Sequence, residues 1–319
     1  MHIPDGFLDA KTAIATTVIS ITGLGSALHY SKKHLRSHEI PLVGLTAAFI
    51  FVAQMLNFPV AGGTSGHLIG AVLAMVLLGP SAAIIVMSSV LIIQAAIFAD
   101  GGLLALGANI FNMAIVAPVT GYLVYKPMRR LLRDVRGQLI SASVASWCAV
   151  VTASIFCAGE LAWSGTASWS VVFPAMAGIH AIIGFGEGLI TMLVLSAIAK
   201  TRPELLIDES LKTNRKETKP ALVYGAVIVI GLLLFVAPFA SRLPDGLDRV
   251  AQSLGFETRK IESQGFAAPL KDYRFFGLES PELSTVAAGV AGAVMVFVIS
   301  FFLSGVLIPR KEEKVQSLK

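Results

Sequence analysis

The sequence predicts an all-α membrane protein of about nine transmembrane helices, seven and then two, with its N-terminus outside and its C-terminus in the cytoplasm. Three observations predict this. Of the 319 residues, 55% are hydrophobic and only 14% charged, with a mean hydropathy of +0.76, whereas a soluble chain carries about a quarter charged residues. Apolar runs recur along the whole length. The basic residues gather in four of the segments between them, and alternate crossings place all four on one side.

A membrane helix needs about 20 apolar residues. The runs cover about 10–30, 40–58, 67–79, 82–99, 102–125, 138–159, 171–199, 220–241 and 284–308. The third is short for a full span and is separated from the fourth by Gly79-Pro80, so one of that pair is expected to be half-buried or strongly tilted. Lys32, Lys33 and Arg36 form the first basic cluster, and Lys126, Arg129, Arg130, Arg133 and Arg136 the second. With 200–219 and the tail after Pro309, these segments hold 18 of the 25 Lys and Arg residues. They mark the cytoplasmic face of a multi-pass protein of the cell inner membrane.

The stretch KTRPELLIDESLKTNRKETK is polar and mixed in charge, and 201–219 reads as a cytoplasmic linker. It separates a first part, 1–200, from a second, 220–319, expected to be a two-helix hairpin around an outer loop at 242–283. The chain opens with a Pro-Asp-Gly turn signal and no basic n-region, so it does not read as a signal peptide. Pro4-Asp5-Gly6-Phe7 is echoed by Pro244-Asp245-Gly246-Leu247, both outside, where such a turn can cap a helix. Cys148 and Cys157 are nine residues apart, about 13 Å of helix rise. That is too far for a disulfide, and both read as small buried apolar residues. Gly23 and Ala27 offer a close-packed face to a partner helix.

Met1-His2 carries the chemistry. A terminal amine, the backbone nitrogen of residue 2 and an imidazole on residue 2 can all reach one ion and close small chelate rings, with proton release. Ni(II) and Cu(II) readily drive the required amide deprotonation and accept square-planar nitrogen ligands. A large second residue favours retention of the initiator Met. Among six histidines, His29, His34 and His38 lie at the cytoplasmic end of the first span and read as snorkelling residues. His67, in Gly62-Gly63-Thr64-Ser65-Gly66-His67, lies outside with His2 and is the candidate fourth ligand. Thr64 or Ser65 can cap the helix that His67 opens, and the glycines permit close backbone approach.

His180 and Glu187 lie seven residues apart on one face of the seventh span. A carboxylate there is costly, so Glu187 should face protein or water. It and His180 read either as supporting or conducting residues, or as partners of an interhelical hydrogen bond to Asn109, Asn112 or Gln94. Asp100 and Glu160 sit at outer span ends, where charge is cheap. There is no thioether box for Cu(I), no Walker loop, no HExxH motif, and nothing that points to nucleic acid. A secondary transporter or channel would need an ionisable relay in the spans and inverted repeats. A metalloenzyme would need an open coordination position and a base.

MHIPDGFL, GGTSGHLIG, GANIFNMA and GIHAIIGFGEGLIT resemble the nickel/cobalt substrate-specific components of energy-coupling factor (ECF) transporters, the NikM/CbiM family, over about residues 1–200. PDGLDRVAQSLGF and FAAPLKDYRF, with their flanking spans, resemble the NikN/CbiN-type accessory component, here fused to the first. The resemblance implies a square-planar ion held by the amine of Met1, the backbone nitrogen and imidazole of His2, and the imidazole of His67. Ser65, Asn109, His180 and Glu187 are further candidates, to support those ligands or line the pathway. The resemblance implies no catalytic residue and no cofactor beyond the transported ion. Its partners would be a transmembrane coupling protein and a pair of cytoplasmic ATPases. The opening HIPDG is of the nickel type, where cobalt-type members tend to read HIMEG; Ni2+ is the expected cargo and Co2+ the alternative.

Overall fold

The structure, a computed structural model, describes residues 1–206, 219–261 and 268–307. Most of the polar linker expected at 201–219, and the basic tail after Pro309, lie outside the described residues. The expected apolar runs all contain helix: α1 (Ala10–His34), α2 (Ile40–Met55), α3 (Ala71–Leu78), α4 (Pro80–Phe98), α5 (Leu106–Asn109), α6 (Ala117–Leu131), α7 (Val135–Trp163), α8 (Trp169–Thr201), α9 (Lys219–Phe235) and α11 (Pro281–Leu307), with α10 (Gly246–Leu254) between the last two. A π-helical stretch, Ile110–Val116, joins α5 to α6, so that 106–131 runs on as one helix of 26 residues.

Among the described residues, seven helices are long and apolar enough to cross a membrane, and α2 is a shorter apolar helix. The third run holds only the eight residues of α3, about 12 Å of rise, less than half a bilayer core. Its ends are set by glycine. Gly70 (φ 77°) and Gly79 (φ 86°) adopt the left-handed backbone that stops a helix cheaply only where there is no Cβ. The residues before it are extended: β1 (Phe58–Val60) and β2 (Thr64–Gly66) pair antiparallel, Pro59 opposite Ser65.

The second part is packed into the first. Both α9 and α11 lie against α2, and glycines allow the approach: Gly225 sits against Leu45, Gly289 against Leu233 and Met55, and Gly292 against Phe51 and Phe98. Val229, Leu233, Ala288 and Val296 therefore join the same buried cluster as Phe51, Val90 and Met176. Gly23 and Ala27 do not form a free face for a partner, as the sequence suggested. Gly23 packs on Ile115, and Ala27 is buried beside Ile84 and Ile85, because α1 turns its small residues inward and leaves Ile14, Val18 and Ile21 exposed. The same apolar exterior continues on α8 through Phe185, Leu189 and Leu193, as a lipid-facing surface requires. Cys157 is buried, Cys148 partly so, and both are free.

Candidate metal centre

The N-terminal segment is threaded into the protein. Met1, Ile3 and Phe7 are buried, and a polar segment can be buried only if its backbone finds partners. Asn109 supplies two: its Oδ1 accepts from Ile3 N–H at 2.7 Å, and its Nδ2 donates to Ile3 C=O at 3.1 Å. Gly102 N–H donates to the same carbonyl at 2.9 Å. The Asp5 carboxylate accepts from the backbone N–H groups of Leu103, Leu104 and Ala105, the turn that opens α5. A Cβ at Gly102 would run into that carboxylate. The first Pro-Asp-Gly turn thus caps a helix 100 residues away, while α1 is capped by Asp9 through Thr12 N–H.

Threaded in this way, the terminal amine lies 2.9 Å from His67 Nε2. His67 Nδ1 is 3.2 Å from Leu68 C=O. A carbonyl can only accept, so Nδ1 carries the hydrogen and Nε2 turns its lone pair to the amine. Two nitrogens bound to one ion at about 2.0–2.1 Å, at right angles, lie about 2.8–3.0 Å apart. The His2 ring stacks beside that of His67, with centroids 5.0 Å apart and planes 26° from parallel. His2 Nε2–H reaches Gln94 Oε1 at 3.3 Å, which leaves the lone pair on Nδ1, the ring nitrogen a terminal chelate uses. Nδ1 is 3.4 Å from Asp100 Oδ1. Tyr273 O–H donates to Asp100 Oδ2 at 2.6 Å and accepts from Gln94 Nε2 at 3.3 Å.

Burial lowers the pKa of His2, although Asp100 opposes this, and burial together with the neighbouring ammonium takes His67 well below the ordinary value. Burial thus favours the neutral form of both rings, the form that binds metal. Among the described residues, no three His, Cys, Asp or Glu side chains are grouped to hold a metal ion.

The supports of His67 differ from those expected. It does not open a helix, and Thr64 and Ser65 do not cap one; they lie in β2, and α3 begins at Ala71. The cap comes from Glu187 instead. Its two carboxylate oxygens accept from Ile69 N–H at 2.6 Å and Gly70 N–H at 2.8 Å, satisfying donors that the broken helix leaves open. Glu187 thus holds the His67 loop and does not pair with Asn109, Asn112 or Gln94. Glu160 is 6% exposed, not at an open span end, and accepts from Asn112 Nδ2 at 2.7 Å. Asp100 is partly exposed. His180 shares one cavity with Met1, His67, Asp245 and Gly246.

The second part closes the site. Asp245 Oδ2 lies 2.6 Å from the Met1 ammonium, and its Oδ1 caps α10 through Asp248 N–H at 2.8 Å. Burial alone would raise the pKa of Asp245, but the ammonium holds it well below the usual carboxylate range. The turn before it is bonded to β2: Ser65 N–H donates to Pro244 C=O at 2.8 Å, and Ser65 Oγ to Leu243 C=O at 2.7 Å.

Comparison with known proteins then decides the family. A family model described as the cobalt uptake substrate-specific transmembrane region, CbiM, matches residues 2–205. The chain belongs to this family. A PDGLE domain matches residues 219–309, so the chain joins a CbiM region to a PDGLE region, the NikM/CbiM and NikN-type fusion that the motifs resemble. A relative from Archaeoglobus fulgidus, assigned by name to fused nickel transport (NikMN), is 39% identical over 313 residues, covering 95% of this chain and 98% of its own. The cobalt transport protein CbiM 2 of Pelobacter propionicus is 32% identical over 69% of this chain and 100% of its own. A truncated transition metal transporter of known crystal structure superposes with a TM-score of 0.57 at 34% identity, covering 63% of this chain and 99% of that one. The chain is therefore a multi-pass metal-transport component of the nickel/cobalt kind.

Sequence reasoning missed Asp245, Gln94 and Tyr273 as neighbours of the CbiM region's N-terminus. The echo of Pro-Asp-Gly was the available signal for Asp245. Both Asp residues cap a helix start, and the copy in the PDGLE region does so with the Met1 amine bound to its other oxygen.

Proposed function

We propose that the chain is the substrate-capture component of an ATP-driven importer of the ECF type. In this reading it binds Ni2+ outside through the Met1 amine, the backbone nitrogen and Nδ1 of His2, and His67 Nε2, and passes it to the cytoplasm. The observation that carries the reading is the 2.9 Å separation of Met1 N and His67 Nε2, the spacing of adjacent nitrogens in a square plane. A transmembrane coupling protein and a pair of cytoplasmic ATPases would supply the energy, since the sequence contains no Walker loop of its own. The N-terminus then lies outside, and residues 201–219 form the cytoplasmic linker between a metal-binding domain, 1–200, and an accessory domain, 220–319.

A channel or secondary transporter fits less well, because Glu187 is bonded to backbone and Glu160 to Asn112, which leaves no continuous relay among the described residues. Nickel is favoured over cobalt by the amide ligand, by the HIPDG opening and by the fused nickel relative. Protein purified without added metal salts is expected to carry nickel and to show the absorption of square-planar Ni(II). Cobalt as the dominant bound ion would reassign the cargo, and octahedral or tetrahedral spectra would remove the planar model.

Asp245 has an electrostatic part in this. A divalent ion with one deprotonated amide leaves a net positive charge in a buried site, and an adjacent carboxylate offsets it while accepting from the ligand amine. Asp245→Asn keeps the shape and the α10 cap but removes the charge. It is expected to weaken nickel binding by about 10–100-fold, the range for residues that orient metal ligands, measured by calorimetry on the full chain. An unchanged affinity would show that the PDGLE region packs beside the site without contributing to it.

A further inference from the structure

One buried nitrogen in the site cavity is used by nothing yet described. His180 lies on α8 and is 2% exposed. Its Nδ1 is 2.8 Å from Met176 C=O, so Nδ1 carries the hydrogen and Nε2 presents a lone pair. Among the described residues that Nε2 has no hydrogen-bond partner. A buried acceptor without a partner costs about 1–3 kcal/mol, and such a group in a native protein calls for a reason. The ring lines the same cavity as Met1, His67 and Asp245. A Cβ at Gly246 would lie 2.8 Å from His180 Cε1 and 2.9 Å from Nε2, so glycine of the Pro-Asp-Gly turn keeps the metal-binding edge of the ring clear of side chain.

We propose that His180 Nε2 is a transit ligand, which with His67 takes the ion as the Met1-His2 chelate lets go. The assignment rests on the chelate reading above. A planar Ni(II) ion leaves its square by exchanging nitrogens, and an uncharged imidazole offers a nitrogen of the same kind without adding charge to a buried site. The route ends there on this face: seven residues further along α8, both Glu187 oxygens are held by Ile69 and Gly70 N–H. His67 remains bound through the transfer because its loop is fixed by those same bonds, while Met1 and His2, which precede the Asn109 clamp on Ile3, are the part that can withdraw.

The test isolates the second state by blocking the first. In the full chain with the Met1 amine acetylated, the chelate cannot close, and Ni2+ should bind weakly to two imidazoles, visible as two histidine nitrogens in X-ray absorption. In that background His180→Asn keeps an N–H for Met176 but replaces the imidazole nitrogen with an amide oxygen, a poor ligand for Ni(II). It should weaken the residual binding by at least about tenfold and reduce the count to one imidazole; His180→Gln provides a second variant should the first not fold. Residual binding that is absent, or the same with and without His180, overturns the proposal. Failure of the chelate reading is separate: it would show as tight binding that acetylation of the amine leaves unchanged.

Discussion

Acetylating the Met1 amine is expected to abolish tight nickel binding. Acetylation converts the amine into an amide that can no longer close the first chelate ring. It also removes the ammonium that Asp245 holds at 2.6 Å and that faces His67 Nε2 at 2.9 Å. Four-ligand metal sites bind with about 10–16 kcal/mol in all, roughly 3–4 kcal/mol per ligand. Loss of the amine and of the amide ring it anchors should therefore lower affinity by at least about 10⁴-fold. Calorimetry on the acetylated and native chains reads this directly. Tight binding retained by the acetylated protein would eliminate the terminal amine as a ligand.

His67→Ala is expected to have the next largest effect. It takes away one of four nitrogens, a loss of roughly 10²–10³-fold, and should erase the square-planar absorption, because three nitrogens and a water give a weaker field. The loop itself should hold, since Glu187 fixes it through Ile69 and Gly70 and the His67 side chain makes no part of that cap. The lowered pKa of His67 bears on pH: the ring competes little for a proton as pH falls through its ordinary value of 6.5, so loss of binding in acid should follow the amine and amide, which release protons on binding. Unchanged absorption in the variant would transfer the fourth position to another group.

Much of the architecture was legible because hydropathy reports burial in lipid residue by residue. The runs at 10–30, 171–199 and 284–308 became helices close to where they were read. The run at 67–79 was harder, because an apolar segment reads the same whether it is helix or a buried extended loop. Only Gly70 and Gly79, with positive φ, and the carboxylate of Glu187 decide that the helix waits until Ala71. Glu187 was recognised as a costly residue that must face protein, but its partners were misjudged. Polar side chains were the visible candidates, and backbone N–H groups carry no mark in a sequence.

The donors of Met1-His2 were determined by sequence alone, because chelate rings close through neighbouring atoms of one short segment and need no fold to bring them together. What the sequence left open is everything that must arrive from elsewhere. His67 comes from 66 residues away and Asp245 from 244, and both meet the amine only because Asn109 clamps Ile3, Glu187 holds the His67 loop, and glycines let α9 and α11 pack on α2. Those contacts depend on how helices pack in three dimensions, which residue order constrains but does not display. Tertiary structure thus turned a candidate three-nitrogen chelate at the terminus into a buried centre with a facing imidazole and a counter-charge lent by the PDGLE region.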